Sequence, residues 1–185
     1  MLDAAGYMAT FASILFGLAV ADVAYSFHRL LTARRHVRFH WLPLTVAAWV
    51  TLNLVSAWWG YFPAFTRQDT SVAGFLPFVV SMIFLVLIAA AVLPDEVPEK
   101  LDLEQFYFDQ HRYFWGMFSI YLGWIVLREF LVRPDHVDYR MLAWMVPTVA
   151  MMIAMAWTRR KWVHSILVPL IVAKAASTWL PWSLT

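Results

Sequence analysis

The chain has 185 residues and a formal net charge of +2, and 62% of its residues are hydrophobic while only 14% are charged. A soluble domain usually carries about 25% charged residues, so this composition indicates a membrane protein. The small net charge gives no support for a nucleic-acid partner. The absence of cysteine excludes disulfides, thiolate metal sites and cysteine nucleophiles within this chain.

Apolar blocks of the length that spans a bilayer follow one another along the chain. We predict a single domain over residues 1–185, an all-α bundle of six transmembrane helices joined by short loops. The lipid bilayer is then the first partner of the chain. The predicted spans are 8–31, 41–62, 72–93, 107–131, 141–157 and 162–182.

The first span carries an acid inside its apolar run. Asp22 is the only acid in that span, and a charge in the hydrocarbon costs roughly 2.5–3.5 kcal/mol on insertion scales. Tyr25, Ser26 and Arg29 follow at i+3, i+4 and i+7 and therefore share its helix face. Asp22 either locks the fold by hydrogen bonding or serves a function, and both interpretations stay open.

The Lys and Arg residues near the span ends predict the orientation of the chain. They cluster around the first and fifth loops, as Arg29, Arg34, Arg35 and Arg38 and as Arg159, Arg160 and Lys161. Loops rich in Lys and Arg stay in the cytoplasm. We therefore predict that loops 1, 3 and 5 are cytoplasmic and that both termini are periplasmic, in a bacterial inner membrane.

The third loop, PDEVPEKLDLEQ, is the longest connection and is acidic. Pro94 and Pro98 end the third span, and Asp102 with Gln105 resembles a capping box. We predict that the fourth helix begins near Leu103, ends before Pro134 and is the longest. The acidic loop is either a solvated connection or one side of a salt-bridge clasp with the neighbouring basic loops.

Three polar residues fall near the bilayer centre in the predicted spans: Asp22, Asn53 and Lys174. An ion pair between Asp22 and Lys174 would relieve both charges, and Asn53 would complete the hydrogen bonds. We predict this midplane site either as a structural lock or as a gate or proton-coupled site.

Three histidines, His28, His111 and His164, fall near the cytoplasmic ends of spans 1, 4 and 6. Three imidazoles could hold a metal ion, and two could hold a haem. No metal-binding spacing supports either, so we expect no metal and no cofactor. The His28–Arg29 and His111–Arg112 pairs suit a cytoplasmic rim that contacts anionic lipid headgroups.

Two stretches carry a resemblance to known proteins: HRLLTARRHVRFHW after the first span and LDLEQFYFDQHRYFWG leading into the fourth. Together they resemble a set of small bacterial multi-span membrane proteins to which no function is assigned. The resemblance implies a bacterial inner-membrane protein and implies nothing about mechanism.

Two classes of function follow from these observations. The first, which the costly midplane charges favour, is an ion, proton or small-solute channel or transporter that uses Asp22 and Lys174. The second is a non-transporting membrane subunit or scaffold that binds partner helices or anionic lipid. No nucleotide loop, nucleophile triad or metalloprotease motif is present, so we do not expect an enzyme. A second copy or a partner membrane protein is the expected protein partner.

Overall fold

The computed structural model of the protein describes residues 4–65, 72–132 and 139–179. Within these ranges the chain forms six α-helices, which confirms the predicted all-α bundle. The helices are α1 (Ala4–Thr32), α2 (Trp41–Phe65), α3 (Val72–Val92), α4 (Leu103–Val132), α5 (Tyr139–Trp157) and α6 (Lys161–Trp179), and the two short strands are β1 (Val37–Arg38) and β2 (Leu101–Asp102).

Four of these helices, α1, α2, α3 and α5, are long and apolar enough to cross a membrane. Their outer faces carry large apolar side chains, such as Leu18, Ile83 and Val146, which are 60%, 50% and 58% exposed. Soluble proteins rarely expose extensive apolar surface. Such a surface is therefore the one expected of helices surrounded by lipid, and α4 and α6 complete the bundle.

The longest of the described helices is α4, with 30 residues. It packs between α3 and α5 and also contacts α2. Aromatic side chains fill the core between α2 and α4. The ring of Trp49 stacks there on the ring of Phe118, with centroids 4.7 Å apart. Helices α1 and α6 both pack on α2 but form no substantial interface with each other.

Asp102 determines where α4 begins. Its Oδ1 accepts hydrogen bonds from the backbone N–H groups of Glu104 and Gln105, at 2.8 and 3.3 Å. A side-chain oxygen in this position satisfies N–H groups that have no partner within the helix. The prediction that the fourth helix starts near Leu103 and is the longest is confirmed among the described helices, and the stretch before Pro134 lies outside the described residues.

The turns after α1, α3 and α5 lie together at one end of the bundle, which we call the clasp end. There β1 and β2 pair in parallel, with Val37 opposite Leu101 and Arg38 opposite Asp102. Since β1 follows α1 and β2 precedes α4, this short sheet joins the first turn to the third.

Candidate functional site

The predicted midplane ion pair is absent. Asp22 lies half-buried on α1, and it has neither a hydrogen bond nor an ion pair with any residue that the structure describes. Asn53 donates its side-chain amide to the carbonyl of Trp49 in its own helix, at 2.8 Å. The prediction was wrong because α1 and α6 each pack on α2 and form no substantial interface with each other among the described residues, while Lys174 bonds to α5.

Lys174 instead turns towards α5. Its Nζ donates hydrogen bonds to the carbonyl of Trp144 at 2.6 Å and to the hydroxyl of Thr148 at 2.5 Å. The same ammonium lies 4.3 Å from the centroid of the Trp144 ring, a favourable cation–π position. All of these partners are neutral. They stabilise the ammonium of Lys174, but no carboxylate among the described residues neutralises its charge.

Arg29 gathers the polar residues that follow Asp22. Its guanidinium donates to Ser26 Oγ at 2.9 Å and lies 4.8 Å from the centroid of the Tyr25 ring. It also reaches Asp95, in the turn after α3, at 3.5 Å. These residues therefore tie α1 to the third loop at the clasp end, and Asp22 is not among them.

Ion pairs link the three turns of the clasp end to one another. Of the two readings of the acidic loop, the structure therefore has the salt-bridge clasp. The pairs are Arg29–Asp95 at 3.5 Å, Arg38–Asp102 at 3.0 Å, His40–Glu104 at 4.0 Å, Lys161–Glu104 at 2.7 Å and Arg159–Asp109 at 2.5 Å. Exposed pairs contribute only about 0–1 kcal/mol each, so their main effect is to fix the relative positions of the turns.

A cleft of about 730 Å³ opens between these turns, and we call it the clasp cleft. Small-molecule sites usually measure about 300–1,000 Å³. Four cationic side chains line it against two carboxylates. Its lining residues are Arg38, Asp102, Glu104, Gln105, Phe108, Trp157, Thr158, Arg159, Arg160 and Lys161.

One of the four cationic side chains that line the clasp cleft has no acidic partner among the described residues. Arg38, Arg159 and Lys161 each have an acidic partner, whereas the guanidinium of Arg160 has none in the described part of the chain. Arg160 is also exposed. The cleft therefore presents one uncommitted cation to a ligand.

The two carboxylates of the cleft stay ionised over a wide pH range. The hydrogen bond from Lys161 is the main reason why the pKa of Glu104 lies below its ordinary value of 4.5. Partial burial acts to raise the pKa of Asp102, but backbone hydrogen bonds and the Arg38 guanidinium outweigh it and hold that pKa below its ordinary value of 3.8. The Arg38–Asp102 and Lys161–Glu104 ion pairs are therefore formed at neutral pH.

The structure brings together two of the predicted histidines. The rings of His111 and His164 lie 5.7 Å apart, centroid to centroid, and both side chains are buried. His28 and Arg112 are exposed, and neither lines the clasp cleft. Phe108 contacts the His164 ring and also lines the cleft, so the histidine pair lies beneath its floor.

A chain of buried hydrogen bonds runs through this layer. The Nε2–H of His164 donates to the carbonyl of Thr158 at 2.8 Å, so in the neutral ring Nδ1 accepts from the Tyr107 hydroxyl at 2.8 Å. The same hydroxyl accepts from the indole N–H of Trp115 at 2.9 Å. The chain joins α4 to the turn before α6 and uses every polar atom of Tyr107 and His164.

His111 has one ring nitrogen without a partner. Its Nδ1–H donates to the carbonyl of Phe108 at 2.6 Å, while its buried Nε2 has no hydrogen bond. No cluster of three or more potential metal ligands occurs among the described His, Asp and Glu residues. Because both nitrogens of His164 are already engaged, the pair offers a metal or haem only the single free nitrogen of His111.

Sequence reasoning missed the residues that build this layer and the cleft floor. Tyr107, Trp115 and Thr158 carry the hydrogen-bond chain. Thr158 lies six residues before His164, whereas only tertiary packing brings Tyr107 and Trp115 to it. One feature of the sequence could have indicated the layer, because Tyr107 and His111 are four residues apart and so share a face of α4.

A search of protein-family models, of curated proteins and of solved structures finds no match to this chain.

Proposed function

We propose that the protein is a non-transporting subunit or scaffold of a bacterial inner membrane that binds an anionic phospholipid headgroup in the clasp cleft. The clasp end then faces the cytoplasm, and both termini lie in the periplasm. The observation that carries the proposal is the uncommitted guanidinium of Arg160 in a cleft with more cations than anions. Basic pockets on the cytoplasmic side are known to bind such headgroups.

The aromatic residues at the cleft support a position at the level of the headgroups. Trp157 lines the cleft and is 82% exposed, and Trp162, just after it, is 61% exposed. Indole rings prefer the membrane–water interface. A lipid could therefore place its phosphate among the cations while its acyl chains remain in the bilayer.

The arrangement of the midplane charges favours this function over transport. A channel through Asp22, Asn53 and Lys174 would need these residues along one pathway. Asn53 instead bonds within α2, Lys174 bonds to α5, and Asp22 lies on α1, which has no substantial interface with α6 in the described part of the chain. Transport stays a prediction that flux measurements decide.

A titration with short-chain lipids tests the proposal. Dihexanoyl phosphatidylglycerol should raise the Tm of the detergent-solubilised protein, because a ligand that binds only the folded state stabilises it by mass action. Dihexanoyl phosphatidylcholine should not. Arg160→Gln should abolish most of the rise, while Arg34→Gln, at an exposed arginine outside the cleft, should keep it.

The opposite outcomes are equally clear. Equal stabilisation by the two lipids, or an unchanged response of Arg160→Gln, would show that the cleft does not recognise an anionic headgroup. Inorganic phosphate is a separate arm. If it reproduces the full rise, the ligand is a free anion rather than a lipid.

A further inference from the structure

Two opposite charges, both half-buried, lie beside exposed parts of the bundle and have no charged partner among the described residues. Asp22 on α1 has no polar partner among residues 4–65, 72–132 and 139–179. Lys174 on α6 has only the neutral partners Trp144 and Thr148. An ionisable group within the membrane normally pairs with another such group or with a backbone carbonyl. Lys174 has the carbonyl of Trp144 but no anion, and Asp22 has neither among the described residues.

Both charges lie at a similar depth. Asp22 is about 15 Å along α1 from its end at Thr32, and Lys174 is about 20 Å along α6 from its start at Lys161, at 1.5 Å per residue. Both of those helix ends lie at the clasp end. The flexible stem of a lysine can extend its ammonium over several ångströms, so the two depths match for copies inserted in the same orientation.

The surface around each charge is open. Leu18 and Tyr25, which lie one turn before and one turn after Asp22, are 60% and 62% exposed. Leu170, one turn before Lys174, is 53% exposed. Since α1 and α6 form no substantial interface with each other among the described residues, the two patches do not cover each other within one chain.

We propose that copies of this chain associate head to tail, with Asp22 of one copy paired to Lys174 of a second copy. Charge complementarity at matched depth identifies the occupant of each patch as the other patch of the same protein. The contact is heterologous, so copies in one membrane form a closed ring when the rotation between them closes. Each pairing gives Asp22 a cation and gives Lys174 an anion.

Mixing two charge-neutralised variants tests the pairing. Asp22→Asn alone and Lys174→Met alone should each be monomeric by mass photometry, because each lacks one half of every contact. A mixture of the two should form dimers and stop there, since only Asp22 of one variant can meet Lys174 of the other. Retained assemblies in either single variant, or a mixture that stays monomeric, would overturn the proposal.

Cysteine crosslinking gives a test that keeps both charges. The chain has no cysteine of its own, and Ala21 and Ala173 are exposed neighbours of the two charges. Oxidation of the Ala21→Cys, Ala173→Cys double variant in membranes should give a ladder of covalent dimers and larger species. Each single variant should stay uncrosslinked. Dimers from Ala21→Cys alone would indicate a symmetric contact instead and contradict the head-to-tail arrangement.

Discussion

The Tyr107 hydroxyl is the central link of the buried hydrogen-bond chain, and its removal should destabilise the protein. In Tyr107→Phe the indole N–H of Trp115 loses its acceptor, and Nδ1 of His164 loses its donor. Trp115 and His164 are 1% and 0% exposed, so water cannot easily replace the hydroxyl. Each buried polar group left unsatisfied costs about 1–3 kcal/mol, so the loss of unfolding free energy should be about 2–6 kcal/mol.

The assay is equilibrium unfolding in mixed micelles, followed by tryptophan fluorescence and helical circular dichroism. The matched control is Tyr113→Phe, because Tyr113 lies on the same helix and is 48% exposed. That substitution should change the unfolding free energy by less than about 0.5 kcal/mol. Equal effects of the two substitutions would refute the argument that the chain is a buried, mutually satisfied network.

Three further predictions concern pH, topology and transport. The folded pKa values of Glu104 and Asp102 lie below their ordinary values of 4.5 and 3.8, so their contribution to stability should be complete above those values and be lost as the pH falls through the lower folded values. Tm should therefore decline below about pH 4.5, and Glu104→Gln should make the decline shallower. A flat Tm from pH 6 to pH 3 would contradict this. Cysteine placed at Asp69 or Thr185, both outside the described residues, should react with an impermeant thiol reagent from the periplasmic side and cysteine at Glu99 should not, and the reverse pattern would invert the topology. Proteoliposomes should show no more proton or potassium flux than empty liposomes, and a flux that Asp22→Asn abolishes would support the channel hypothesis instead.

The helices could be predicted closely because hydrophobic block length and local capping are properties of neighbouring residues. The predicted start of the fourth helix near Leu103 follows from Asp102 with Gln105, and the structure has the hydrogen bonds from the backbone N–H groups to Asp102 that this cap requires. The salt-bridge clasp was one of two interpretations of the acidic loop, beside a solvated connection. Opposite charges in adjacent loops indicate attraction but do not specify which residues meet.

The midplane site could not be predicted in the same way. The position of a residue along a span gives its depth, but not the side of the helix that a neighbour covers. Equal depth therefore predicted a pair between Asp22 and Lys174, although α1 and α6 form no substantial interface in the described part of the chain and Lys174 bonds to α5. The sequence likewise indicated only a common depth for His111 and His164 and did not predict that they meet. In this case helix packing does bring the two rings together.

Native mass spectrometry of the protein released from nanodiscs that contain equal amounts of phosphatidylglycerol and phosphatidylcholine tests the headgroup site most directly. The wild-type chain should retain one phosphatidylglycerol in preference to phosphatidylcholine. Arg160→Gln should lose that preference, and Arg34→Gln should keep it, because among the described residues that line the clasp cleft only Arg160 has a guanidinium without an acidic partner. A wild-type protein that retains the two lipids equally, or an Arg160→Gln variant that keeps the preference, would contradict the headgroup site.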